Sequence, residues 1–314
     1  MEDLLKKLSE KKEITEEEIN EALAKMSENT VYAMHEKELH KIINEKYNKP
    51  VLEIRTPENK INFIQYGFEK IKKIVFKGKV SDNVAFAIKN MEVEFQGEVD
   101  CTIGVVKNSK IVVSHAKNLK ISKAENSTII VKEGNYVLLK DSENCEIWIN
   151  CDNVEASMKE CVAEINAIKV NVECSKDTKC MINSMSGSLL SIESFVYIAD
   201  SIDNAYINKS LAYINSAKKV EVIDSRIIAD DVDTFSLLYA GGTFAKVKHI
   251  NEITVETNIY AKNEKEVKNM DIIEVDKLDK VECLYLVDEY SKLEIVYNGF
   301  VTVGSYGRSR QLPY

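Results

Sequence analysis

Residues 90–95, Asn90-Met91-Glu92-Val93-Glu94-Phe95, are answered by Asn108-Ser109-Lys110-Ile111-Val112-Val113 and again by Asn144-Cys145-Glu146-Ile147-Trp148-Ile149. Each is an asparagine followed by a short strand-like run. In the first, the apolar residues alternate with acids, which is the period of a strand. Met91, Val93 and Phe95 therefore belong on a buried face and Glu92 and Glu94 on a wet one. The asparagines at the heads of such runs are Asn90, Asn108, Asn118, Asn126, Asn135, Asn144 and Asn153, at intervals of 18, 10, 8, 9, 9 and 9. Asn suits a corner because it tolerates left-handed backbone and its short amide bonds nearby peptide groups. Nearly equal strand-plus-turn units, with no helix-length pattern between them, predict a parallel β-helix or solenoid. Stacking would place the asparagine amides in line, within reach of one another.

The rhythm continues downstream in other residues. Val196-Tyr197-Ile198, Ala205-Tyr206-Ile207-Asn208 and Ala212-Tyr213-Ile214-Asn215 are near copies, followed by Val220-Glu221-Val222-Ile223-Asp224. Proline is absent from 58 to 312, as uninterrupted strand pairing requires. Gly187 is the only glycine between 135 and 240, so polar side chains must serve the corners. The alternative architecture is an antiparallel β-sandwich, whose short strands also give turn signals every 8–12 residues.

Material of a different kind flanks this β region. In the N-terminal segment, 1–58, Leu4, Leu5 and Leu8 mark a first helix; Thr15 and Glu18 form a capping box and Ile14 and Ile19 the matching hydrophobic staple of a second. A third is expected from about Val31 to Tyr47. Three short amphipathic helices have little core of their own, so they should cover an end of the β region, where a bare solenoid would present unpaired donors and acceptors. The solenoid itself is expected over 59–290. In the terminal segment, 291–314, Asn298-Gly299 between Leu293-Glu294-Ile295-Val296-Tyr297 and Phe300-Val301-Thr302-Val303 predicts a two-residue β-hairpin, followed by a small basic tail with Arg308 and Arg310. Tyr297, Asn298, Gly299, Phe300, Arg308 and Arg310 are the expected interaction residues.

Composition narrows the functional classes. The chain has 314 residues, 45% of them apolar and 30% charged, the ordinary makeup of a folded domain. A net charge of −9 with only four arginines argues against a nucleic-acid partner. No stretch is apolar enough to span a membrane, and the N-terminus lacks the pattern of a secretion signal. Seven cysteines, an odd number and mostly inside strand patterns, read as reduced buried residues. The expected location is the cytoplasm, or a virion assembled there.

The search for chemistry returns mostly negatives. His35 and His40 stand five residues apart, whereas two histidines on one helix face need a spacing of four, so they diverge and hold no metal. With coils of about 16–19 residues, Cys145, Cys161 and Cys180 are expected to stack, as packing or, in an alternative reading, as a metal or cluster site. Asp230, Asp231 and Asp233 are the densest acids of the β region and, in the alternative reading, the catalytic group of a glycan-cleaving β-helix, with Tyr197, Tyr206, Tyr213 and Tyr239 near them in sequence. Strand alternation places Asp231 and Asp233 on one face and Asp230 on the other. His115 and His249 read as structural. No phosphate-binding loop, dinucleotide fingerprint or serine elbow occurs, and no cofactor is expected.

In outline, helices followed by a β-helix, the chain resembles the scaffold subunits of iron–sulfur cluster assembly, although those end in helices where this chain ends in a hairpin. Its short regular strands resemble bactofilin filaments. Neither resemblance carries a residue across. Repeated strands, cappable ends and missing catalytic constellations lead to the expectation of a non-enzymatic scaffold. It would self-associate, or join another assembly protein in a larger cytoplasmic or viral particle, through β edges and terminal segments. The alternatives are a glycan-binding or glycan-cleaving β-helix of the phage-spike type and a metal or iron–sulfur carrier.

Overall fold

The computed structural model describes residues 1–27, 32–55, 58–59, 67–239, 242–256, 271–285, 292–297 and 300–305. The chain divides into two compact units, 1–163 and 164–314, and each is built of parallel β-solenoid coils.

The first unit begins with α1 (Glu2–Glu10), α2 (Glu16–Ser27) and α3 (Tyr32–Lys46). The capping box at α2 forms as expected: the Thr15 N–H donates to Glu18 Oε2 at 2.9 Å, and the Glu18 N–H donates to Thr15 Oγ1 at 3.3 Å. Ile14 and Ile19 are buried beside it. Strands β1 (Val51–Ile54), β2 (Glu58–Asn59), β3 (Lys73–Phe76), β4 (Lys79–Lys89), β5 (Glu92–Lys107), β6 (Lys110–Glu125), β7 (Thr128–Val131), β8 (Tyr136–Glu143) and β9 (Glu146–Lys159) follow. The ladder thus starts at Val51, earlier than the sequence reading placed it, because β1 pairs with β3. Every pairing among these strands is parallel, which removes the sandwich alternative.

Parallel register stacks like on like. Phe76, Phe95, Val113, Val131 and Ile149 form one inward column, and Ile74, Val93, Ile111, Ile129 and Ile147 another. All ten are buried, and the Phe76 and Phe95 rings stack at 5.3 Å. Each such side chain contributes about 1.5–3 kcal/mol by leaving water.

In the second unit, which receives most of β10 (Val162–Ser175), the strands are β11 (Lys179–Ile192), β12 (Phe195–Asn208), β13 (Leu211–Ile223), β14 (Arg226–Tyr239), β15 (Phe244–Glu256), β16 (Asp271–Tyr285), β17 (Lys292–Tyr297) and β18 (Phe300–Ser305). From β11 to β17 successive strands pair in parallel. Among the described residues of this unit β17 and β18 alone are antiparallel, with Tyr297 opposite Phe300, which is the pairing of a two-residue hairpin. The inward columns here carry smaller residues, such as Val196, Ala212, Ile227 and Ala245.

The corners explain the asparagines. Asn90, Asn108, Asn126 and Asn144 all have positive φ, between 48° and 55°, and the position passes in later coils to Glu160, Asp177, Glu193, Lys209 and Asp224. One coil therefore consumes two of the nine-residue units, with Asn118, Asn135 and Asn153 on the far side of the lap. Side-chain bonds run along both stacks: Asn108 Nδ2 donates to Asn90 Oδ1 at 3.1 Å, and Asn118 Nδ2 to Asp100 Oδ1 at 3.3 Å.

The start of the ladder is closed by side chains. On the edge of β1 that faces away from β3, the Val51 carbonyl accepts from the Tyr47 hydroxyl at 2.7 Å, and the Glu53 N–H donates to Glu16 Oε2 at 3.1 Å. Asn20 then bridges the next two groups, its Nδ2 donating to the Glu53 carbonyl at 2.9 Å and its Oδ1 accepting from the Arg55 N–H at 2.6 Å. Covering an end of the β region is the use expected of the helices.

Candidate functional site

After Asn90 the inward residue is Met91, and directly after every later left-handed corner comes a small side chain that turns into the core. In the first unit these are Ser109, Ser127, Cys145 and Cys161, and in the second Thr178, Ser194, Ser210, Ser225 and Thr243; all are buried. The Ser210 hydroxyl donates to the Asn208 carbonyl at 2.7 Å and accepts the Ser194 N–H at 3.1 Å, while the Ser210 N–H donates to Ser225 Oγ at 3.1 Å. Ser109 and Ser127 repeat the arrangement. At the turn the carbonyls still accept from the next coil, as Ser194 does from the Leu211 N–H at 3.0 Å, while for the N–H of these residues the hydroxyl supplies the partner that a buried N–H must have. This column was readable as Asn-Ser, Asn-Cys, Glu-Ser, Lys-Ser and Asp-Ser dipeptides, and the asparagine rhythm alone concealed it.

Cys145 and Cys161 are therefore neighbours in that column: the Cys145 N–H points to Cys161 Sγ at 3.4 Å, and the two thiols lie against the Glu143 and Lys159 carbonyls. Cys180 does not join them. It stands two residues beyond Thr178, in register with Val196, because coils of 16 and 17 residues shift it out of the corner position. The neighbouring Cys161 thiol, with burial second, pushes Cys145 upward, and burial pushes Cys101 up to about 12, so both stay protonated near neutrality. Among the described residues no three of His, Cys, Asp and Glu come together in a metal-holding group.

The acids Asp230, Asp231 and Asp233 are brought together on β14, and all three face outward. Ala229 and Val232 are buried on either side of Asp230 and Asp231, so the strict alternation expected from sequence breaks at this second corner. Each acid meets a residue 18 positions on: Asp230 with Lys248 at 2.8 Å, Asp231 with His249 Nδ1 at 2.9 Å, and Asp233 with Asn251 at 2.7 Å. His249 Nε2 lies 3.4 Å from Asp279. His115 pairs with Glu133 at 3.5 Å. His40 bonds the Gly67 carbonyl and packs on Phe68.

The tyrosines separate. Tyr197 and Tyr213 share an outward column with Met181 and Ile228, while Tyr206 is paired with Glu221 on another stretch of the lap, as is Tyr239 with Ile223. Alongside that column, Phe195 and Leu211 stand in register with Lys179 and Arg226. Met181, Phe195, Tyr197 and Ile228 are each about two-fifths exposed, and Tyr213 lies 5.8 Å from Phe195 and 6.5 Å from Tyr197, ring to ring. This is a ribbon of apolar and aromatic side chains on a parallel sheet, a feature that periodicity hinted at only through the repeated Tyr-Ile pairs. Of the interaction residues expected at the C-terminus, Tyr297 and Phe300 end β17 and begin β18, and Asn298, Gly299, Arg308 and Arg310 lie outside the described residues.

No protein family, no characterised protein and no solved structure matches the chain. No helix among the described residues is long and apolar enough to cross a membrane.

Proposed function

We propose that the protein is a non-enzymatic scaffold that self-associates, in the cytoplasm or in a viral particle assembled there, and that the aromatic ribbon of its second unit is the face it uses. The ribbon is the observation that carries this reading. Contiguous exposed apolar side chains on a regular sheet mark an interaction surface, and Tyr and Phe are the residues that anchor such surfaces. A second copy is the occupant that fits. Lys179 and Arg226 flank Phe195 and Leu211, and of the neighbouring corner residues Asp177, Glu193 and Asp224 are acidic and Lys209 is basic, so a copy laid face to face can set charges of one sign against those of the other along the rim.

Size-exclusion chromatography with light scattering over a concentration series tests the proposal. The parent chain should gain mass with concentration, and Tyr197→Lys with Tyr213→Lys should remain a monomer. A parent that stays monomeric and enters no larger complex refutes it. The glycan reading is separated by Asp231→Asn with Asp233→Asn: assembly should be unchanged, whereas loss of binding to an acidic polysaccharide would favour the rival.

A further inference from the structure

The four side-chain bonds on the outer edge of β1 follow the order of a strand. Reading along it, the edge offers the Val51 carbonyl, the Glu53 N–H, the Glu53 carbonyl and the Arg55 N–H. It receives in turn the Tyr47 hydroxyl, the Glu16 carboxylate, and the donor and acceptor of the Asn20 amide. Donor meets acceptor four times. The Asn20 amide bridges consecutive edge groups as the N–H and C=O of one residue of a parallel neighbouring strand would. Arg55 Nη2 also donates to Glu16 Oε1 at 2.8 Å, which ties the carboxylate to the strand it covers. Tyr47 is buried beside that carboxylate, and burial with the Glu16 charge pushes its phenol up to about 12, so it remains a donor.

We infer that α2 is a stopper shaped like a strand: the outer edge of β1 is a latent stacking surface for the main chain of an end coil from a second copy, and Glu16 and Asn20 keep it closed. Strand edges are templates for another chain, and natural sheets cover or charge them for that reason. The occupant is a second copy because the coils of this protein, the β17–β18 hairpin apart, supply what the edge takes, extended segments that pair in parallel. This surface is made of other residues than the ribbon and deepens the assembly reading, on which it rests, by adding a second, guarded contact.

The test uses the full chain carrying Tyr197→Lys and Tyr213→Lys, so that association through the ribbon is silent. Adding Glu16→Ala and Asn20→Ala should give light-scattering masses that rise with concentration to at least twice that of the background chain, with circular dichroism still that of a β protein. Glu53→Pro is then placed on top. Its N–H faces away from β3, so proline is tolerated there while the outward donor is lost, and association should fall back. The inference is overturned if the folded Glu16→Ala/Asn20→Ala chain keeps the background mass, or if Glu53→Pro leaves its association intact. A variant that loses its β signal is replaced by Asn20→Asp, which removes only the Nδ2 donor and sets a charge against the Glu53 carbonyl. The same two outcomes then decide. Failure here with association of the parent chain intact would leave the ribbon reading standing.

Discussion

The two units write the same outward position in different languages. Two residues beyond the left-handed corner, the first unit carries Glu92, Lys110, Thr128 and Glu146, in register with Lys73; there Lys73 Nζ lies 3.0 Å from Glu92 and 2.6 Å from Glu94. The second unit has Lys179, Phe195, Leu211 and Arg226 in that position, beside Met181, Tyr197, Tyr213 and Ile228. Beneath both, the inward corner column keeps its small hydrogen-bonding side chains. A solenoid can thus exchange charged side chains for Phe195 and Leu211 at this outward position without disturbing the bonds that turn the chain; the next outward column is largely apolar in both units, with Val112, Ile130 and Trp148 beside Glu94 in the first.

The severest way to break this comparison is through the backbone of the second unit. Gly187 has φ +125°, and a Cβ there would sit 1.9 Å from the Val170 carbonyl oxygen. Gly187→Ala should cost about 4 kcal/mol, the sum of backbone strain and overpacking, read as a lower denaturation midpoint by circular dichroism. Next comes the shared column. Ser210→Ala leaves the buried Ser194 N–H without its acceptor and should cost about 1–3 kcal/mol. Cys145→Ala, at the same position in the first unit, should cost less in the same urea titration, because a thiol is a weak partner.

Acid should separate the faces. The Lys73 ammonium holds Glu94 below its usual value, and Lys107 with Lys123 hold Glu125 down to about 2. Carboxylates held low contribute stability that is present above their ordinary value of 4.5 and is lost as pH falls toward 2. The only tryptophan, Trp148, lies in the first unit. Its fluorescence melting temperature should drop across that window, and by less in 1 M salt, where screening extends only about 3 Å. The smallest effect belongs to one partly exposed lysine with its two carboxylates: Lys73→Met should change stability by about 0.5 kcal/mol, measured by the same fluorescence in guanidinium.

The asparagine rhythm made the winding legible as far as residue 153, because there the left-handed corner is occupied by the residue that tolerates it best. Beyond that the corner falls to Glu160, Glu193 and Lys209, residues with no preference for positive φ. Stacked coils impose that conformation on them from outside, so local sequence no longer announces it. The helix cap and its staple were readable because the bonds that make them span three to five residues. The closure of β1 was not, since Glu16 and Asn20 act on backbone some 35 residues away. The acids misled the alternation rule for a related reason: a corner inserts an extra outward residue, and only the neighbouring coil shows where.

Successive left-handed corners are 18, 18, 18, 16, 17, 16, 16 and 15 residues apart, yet from Asn108 onward a buried hydroxyl or thiol always follows them. Slack in the lap is taken up elsewhere, at breaks in register such as those between Phe95 and Glu98 or between Ile198 and Ser201. One side of each turn behaves as a spine and the other as a seam. Foreign peptides grafted at the seam, between Ala199 and Asp200, should be carried without harm, whereas a single residue added between Glu193 and Ser194 would unseat the whole lap.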